Sequence, residues 1–371
     1  MKFKIPLSQP NLNRDDFLQI KKCFDSSWIS SKSPWVDKFE KEFACQVSQT
    51  KYAIAVNSGT SALFLALKSL GIGQGDEVIL PTLTMIATVN AVVWAGAKPI
   101  LVDSNNHKDW NMNLTQLKQK INKNTKAIIP VHLYGYPVDM HRLMAIAKEH
   151  KLFVVEDTAE AMGSVYHHKA VGSWGDLSCY SLYSNKIITT GNGGIIATNS
   201  KRLYLLLKQI SFFDFHQESH FLHHQMGYNL VLSGLQSALG CSQVGRFKSL
   251  LEHRQTVYSW YRQNLYGHVD FICPLAKTIP NYWFPAIIFR SAQDKYKVIK
   301  ALNNVAIETR EFFLPIHLQP LYKSVFKNEK YPIADYFYNH GLLLPSYFEL
   351  KQNQIKHICE IIKTTLKLKD D

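Results

Sequence analysis

Lys186 follows an apolar, strand-like run in Ser181-Leu-Tyr-Ser-Asn-Lys186-Ile-Ile-Thr-Thr-Gly191-Asn-Gly193-Gly194. A lysine placed there, ahead of a glycine-rich turn, can hold its amine against an aldehyde and form a Schiff base. The nucleophile is the neutral amine, so the site must be dry enough to lower the lysine pKa. A second chemically capable group, Asp157, closes the run Leu152-Phe-Val-Val155-Glu156-Asp157. That run reads as a buried parallel strand, and its carboxyl end is where open α/β sheets collect ligands. A carboxylate there wants a cationic partner. Strand-end aspartates also cap turns, and that alternative stays open.

An amine for an aldehyde and a carboxylate for a protonated ring nitrogen are two of the three things pyridoxal phosphate asks of a protein. The third is a phosphate cradle. Tyr52-Ala-Ile-Ala-Val56 reads as a strand, Asn57-Ser58-Gly59-Thr60 as a tight turn, and Ser61-Ala-Leu-Phe-Leu-Ala-Leu67 as a helix. Gly59 lets backbone approach a ligand, and the free N–H groups of a helix start attract an anion. Thr60 is equally a good N-cap, which needs no ligand. Ser181 can offer a hydroxyl to the same phosphate from the strand before Lys186.

The elements that must position these residues are legible as alternation. Strand-like runs begin near Tyr52, Glu77, Pro99, Ala127, Leu152, Asp176 and Gly194, with helical patterns over residues 61–70, 86–95, 140–150 and 201–210. The expectation is an α/β fold with a mostly parallel seven-stranded sheet covered on both faces. A long amphipathic stretch over residues 233–264 leads into a smaller α+β domain, with a strand over residues 283–290 and helices over 295–302 and 354–367. The expected division is a large cofactor-binding domain of residues 1–250 and a small domain of residues 251–371. No internal repeat interrupts this pattern.

Several motifs, in order, make the chain resemble the DegT-type sugar-nucleotide aminotransferases, of aspartate-aminotransferase fold (fold type I). They are Trp28-Ile-Ser-Ser31, Asn57-Ser-Gly-Thr60, Gly75-Asp-Glu-Val-Ile-Leu-Pro81, Gly96-Ala-Lys-Pro99, Pro130-Val-His-Leu-Tyr-Gly135 and Glu156-Asp157. They continue through Val171-Gly-Ser-Trp-Gly-Asp176, Asn185-Lys-Ile-Ile-Thr-Thr-Gly191, Gly227-Tyr-Asn229, Ile307-Glu-Thr-Arg310 and Leu314-Pro-Ile-His317. The resemblance implies that Lys186 holds pyridoxal 5'-phosphate and shuttles a proton, and that Asp157 keeps the ring nitrogen protonated. It places Glu160 beside the ring hydroxyl, although a helix-start carboxylate would look the same. It assigns Ser58, Gly59, Thr60 and Ser181 to the phosphate and Met85 to the ring. Asn229 would reach the neighbouring subunit's phosphate, which implies a homodimer with shared sites. His132, His317 and Arg310 fall at positions near the sugar cleft.

The implied reaction moves an amino group from L-glutamate to a nucleotide-linked 4-keto-6-deoxy sugar, with GDP-4-keto-6-deoxymannose as the expected acceptor, for surface polysaccharide. A related enzyme that removes a 3-hydroxyl instead carries histidine where this chain has Lys186. Departures bear on the substrate: Met85 replaces a stacking aromatic, Asn192 a common glutamate, Val231 a common arginine, and residues 210–220 lack the usual His-Gly turn. Methionine can still cover a ring. UDP- or dTDP-linked sugars, amination at carbon 3, and a cofactor-binding relative without turnover are the alternatives.

With 371 residues and 46% hydrophobic content the chain can bury a large core. The net charge of +13 is spread over lysines without an arginine-rich block or a nucleic-acid motif, so no nucleic-acid partner is expected. No apolar run reaches the roughly 18–20 residues of a membrane span, and the N-terminus lacks a signal-peptide core. Six scattered cysteines without a Cys-x-x-Cys pair point away from zinc and disulfides, towards a reduced, cytoplasmic setting. The adjacent pairs His167-His168 and His223-His224 lack metal-ligand spacing, and no metal is expected; the first pair reads as a hairpin turn.

Overall fold

The computed structural model describes residues 3–215 and 221–367. All seven expected strands join one sheet, in the order Tyr52–Val56, Gly194–Thr198, Leu177–Ser181, Phe153–Asp157, Thr125–Ile128, Glu77–Pro81 and Lys98–Val102. Neighbours run parallel except the Gly194–Thr198 strand, which is antiparallel to both of its partners. Side chains on both faces are buried, as at Val154, Val155, Ile195 and Ile196, because helices cover each face. The expected helices appear as Gly59–Ser69, Ile86–Trp94, Met140–His150 and Lys201–Ile210. Gly59–Ser69 is apolar almost all round, burying Ala62, Leu63, Leu65, Ala66 and Leu67 between the sheet and its helical neighbours. That burial fixes its first turn, and hence the Ser58-Gly59-Thr60 corner.

Two N-terminal helices, Arg14–Asp25 and Pro34–Phe43, were absent from the alternation because only short amphipathic stretches carry them. Their caps are explicit. Asn13 and Asp16 form a reciprocal capping box, and Ser33 caps a helix with Pro34 at its first position. The stretch over residues 233–264 is two helices, Gly234–Gly245 and Phe247–Leu265. The break falls at Arg246 (φ −108°, ψ 3°), whose guanidinium is tied to Asp16 at 2.7 Å and to Asn11, pulling the junction onto the first helix. A second, antiparallel sheet of Ala286–Ile288, Gly341–Leu343 and Arg310–Glu311 carries the helices Ala292–Asn304 and Gln352–Lys367. Its first strand is shorter than expected at both ends; at the start, the Trp283 N–H donates to Asn281 Oδ1 at 2.9 Å instead of joining the ladder. His167 and His168 form the tip of a hairpin, both in the left-handed region (φ 46° and 63°). Among the described residues no helix is long and apolar enough to cross a membrane.

Candidate active site

The carboxyl ends of the Tyr52, Phe153 and Leu177 strands open into one cleft of about 350 Å³. Ser58, Gly59, Thr60, Met85, Asp157, Glu160, Ser181, Lys186 and Arg310, all expected from sequence, line it together. At the anionic-ligand end the cap of the Gly59–Ser69 helix is Ser58, whose Oγ accepts the Ser61 N–H at 3.0 Å. Thr60 therefore does not serve as the cap. The Gly59 and Thr60 N–H groups, orphans of the first turn, have no acceptor among the described residues. A Cβ on Gly59 would sit 3.1 Å from Ser181 Cβ, tighter than ordinary contact, so only glycine leaves the cradle open. Backbone donors, two hydroxyls and a helix N-terminus suit a phosphate. The residues fit the cofactor's anion.

The opposite wall fits its ring. Asp157 is buried at the end of its strand, accepting from Thr88 Oγ1 at 2.8 Å and from the Ala159 N–H at 3.1 Å. Burial pushes its carboxyl up, against the pull of those two donors and of the Lys186 charge. A carboxylate so placed gains from a cation on its free side, as a pyridinium nitrogen would provide. Glu160 is likewise buried and accepts the Tyr134 N–H at 2.9 Å. Burial lifts it to about 7, opposed by Lys186 and that N–H and helped by Asp157. Lys186 is partly buried, and desolvation lowers its amine pKa, against the attraction of Glu160 and Asp157. A depressed lysine between two carboxylates is an amine poised to bond and to carry protons.

Glu160 makes a pH prediction for the cofactor-free protein. Its folded pKa of about 7 exceeds the ordinary 4.5, so the fold favours the neutral form. The stabilisation is complete below the unfolded value and is lost as pH rises towards 7. Glu160→Gln should remove a decline of up to roughly 3 kcal/mol across that window, read by thermal melts at successive pH.

Three expected residues are not on this cleft. His132 is fully buried, its Nδ1 accepting the Val138 N–H at 3.1 Å and its Nε2 3.1 Å from Glu156 Oε2. Glu156 in turn accepts the N–H groups of Gly172, Trp174 and Gly175, so the pair holds a loop. His317 sits between Thr82 Oγ1 (2.8 Å) and Asp335 Oδ1 (3.0 Å), pinning a turn to a strand end. Neither histidine lines the cleft, and each ring has both nitrogens committed to the protein. Asn229 is exposed, bridged to Phe212, and lies away from its own chain's cleft. Of residues 210–220, where a departure was noted, 216–220 lie outside the described residues.

Sequence reasoning missed Thr88, Asn185, Phe313 and Trp283, all on the cleft. Only Thr88 carried a signal, standing four residues after Thr84, which precedes the helix cap, its hydroxyl 3.0 Å from that of Thr84. Met85 is 47% exposed, and its Sδ accepts the Ala87 N–H at 3.0 Å, leaving one face of the thioether towards the cleft.

The sequence matches the model of the DegT/DnrJ/EryC1/StrS aminotransferase family over residues 10–363. It is 40% identical over 358 residues to the GDP-perosamine synthase of Escherichia coli O157:H7, covering 96% of this chain and 97% of that protein. The GDP-perosamine synthase of Vibrio cholerae is 34% identical over 362 residues, covering 97% and 98%. Among solved structures, the PMP form of Spr1654 from Streptococcus pneumoniae superposes with a TM-score of 0.92 at 25% identity, over 98% of each chain.

Proposed function

Because the chain belongs to the DegT/DnrJ/EryC1/StrS aminotransferase family and is a pyridoxal-phosphate-dependent sugar aminotransferase, we propose that it converts GDP-4-keto-6-deoxymannose to GDP-perosamine with L-glutamate as donor. The observation that carries the chemistry is the convergence of Lys186, Asp157, Glu160 and the Ser58–Gly59–Ser181 cradle on one cleft. The choice of sugar is supported by the names of the E. coli and V. cholerae relatives, which align over nearly the whole chain.

Bound pyridoxal phosphate supplies an electron sink for the carbon that gives up its proton. The chain's own residues do the rest. Lys186 Nζ would hold the cofactor's aldehyde and, once released by the incoming amine, would serve as the base that takes the amino donor's proton and as the acid that gives one back for the keto sugar. Asp157, steadied by Thr88 and the Ala159 N–H, would hold positive charge at the ring nitrogen. Glu160 stays close enough to neutral to exchange a proton near pH 7. Arg310 offers a cation to the carboxylates of glutamate and 2-oxoglutarate from the cleft mouth.

The working unit in this reading is a cytoplasmic homodimer. Val93, Trp94, Leu205 and Phe213 are exposed large apolar residues suited to a subunit contact, and Asn229 would extend to the partner's phosphate cradle. The deciding experiment incubates the protein with glutamate and GDP-, UDP- and dTDP-linked keto sugars. The expected result is 2-oxoglutarate in equal amount with a GDP-linked sugar whose amine NMR places on carbon 4. A product from only the UDP- or dTDP-linked sugars, or an amine on carbon 3, overturns the substrate assignment. Absence of 2-oxoglutarate overturns the turnover assignment.

A further inference from the structure

Lys186 Nζ makes no hydrogen bond to any described residue and lies over an aromatic face. It lies 3.8 Å from the centroid of the Trp283 ring, the shortest cation-to-ring approach among the described residues. Trp283 is 3% exposed and held on three sides. Its Nε1–H donates to the carbonyl of Asn185, the residue just before Lys186, at 2.9 Å. Its N–H donates to Asn281 Oδ1 at 2.9 Å, and its carbonyl accepts from Arg254 at 3.2 Å.

Asn281 carries the arrangement across the cleft. Its Nδ2 donates to the carbonyls of Glu160 (2.9 Å) and Met162 (3.0 Å), and its N–H donates to Ser164 Oγ at 2.9 Å. Gly135, at φ +90°, passes so close that any Cβ there would overlap the Asn281 amide. One rigid segment, Asn281 to Trp283, thus clasps the Glu160 turn and the Lys186 turn together.

We propose that Trp283 is a positioning residue for Lys186: its indole face is the seat on which the unbonded amine rests, and Asn281 fixes that seat relative to Glu160. The reason is chemical. A carboxylate seat would trap the ammonium through a charge-assisted hydrogen bond, whereas an indole face attracts it weakly and leaves its protons and lone pair free. The charges that also bear on Nζ are Asp157 and Glu160, which favour the protonated form, and Arg310 and Arg254, which oppose it. This inference rests on Lys186 being the amine that takes the cofactor.

The test compares Trp283→Phe with Trp283→Leu in the cofactor-free protein. Both lose the Nε1 donor and are of similar size; only phenylalanine keeps an aromatic face. Competitive acetylation with acetic anhydride across pH, read by mass spectrometry of the Lys186 peptide, reports the fraction of neutral amine. Below the lysine pKa, Lys186 should be labelled roughly threefold to tenfold faster in the leucine variant than in the phenylalanine variant. Equal titrations in the two would overturn the proposal. If the leucine variant does not fold, fluorinated tryptophan incorporated into the otherwise unaltered chain weakens the ring's negative face at constant shape. Labelling should then quicken, and an unchanged titration counts against the seat. Failure of the Lys186 assignment itself would look different: the Lys186→Ala protein would still hold the cofactor covalently.

Discussion

Lys186→Ala is expected to lose amino transfer by about 10⁴-fold or more, together with covalent retention of the cofactor through gel filtration. The argument is geometric. Lys186 is the lysine lining the cleft, between two buried carboxylates and beside the phosphate cradle. No neighbouring group can replace both its bond to an aldehyde and its proton transfer. The fold should be little affected, because Nζ makes no hydrogen bond to a described residue and rests only on the Trp283 face. Thermal midpoints of the cofactor-free proteins should lie within a few degrees of each other, as expected for a change of ~1 kcal/mol or less. A variant that retains the covalently held cofactor would place the aldehyde on another amine.

Asp157→Asn is expected to lower turnover by roughly 10²- to 10³-fold while leaving a folded protein. Burial makes the ionised carboxylate unfavourable in the cofactor-free protein, and a cation at its free edge would reverse that. An asparagine keeps the shape and loses the charge, so it can no longer hold a ring nitrogen protonated. The fold tolerates the exchange because Thr88 Oγ1, which donates to Asp157 Oδ2 and lies 3.0 Å from Thr84 Oγ1, can turn its hydroxyl to accept from an amide. A second readout separates the roles. Cofactor binding raises the melting temperature by mass action, and that rise should be smaller in Asp157→Asn than in the wild-type protein. A variant that unfolds, with the gain in melting temperature unchanged among the folded fraction, would make Asp157 a structural carboxylate.

Between these two residues lies the division of labour in the Glu156-Asp157 pair. Alternation along a strand sends their side chains to opposite faces. Glu156 is spent on three backbone donors and His132, whereas Asp157 keeps one edge of its carboxylate for the cleft. His132 acts on the site from below: its N–H donates to the Asp157 carbonyl at 3.2 Å, which positions the strand end.

What the chain determined by itself is what depends on neighbours in sequence. Seven apolar runs bounded by turn residues located the sheet, because a doubly covered strand must be apolar on both faces whatever surrounds it. Asp157 was legible because it ends such a run and Lys186 because it follows one ahead of a glycine-rich turn, and Gly59 because a strand-to-helix corner with glycine has few other uses. Tertiary structure decided everything that depends on a partner far along the chain. Thr88 reaches Asp157 across 69 residues, and Trp283 reaches the Lys186 turn across 98. No local pattern marks an indole that will face an amine, or a histidine whose two nitrogens will be consumed by Thr82 and Asp335. A side chain's type sets the bonds it can make, but only closure of the fold selects which partner arrives, and so which polar groups remain for chemistry.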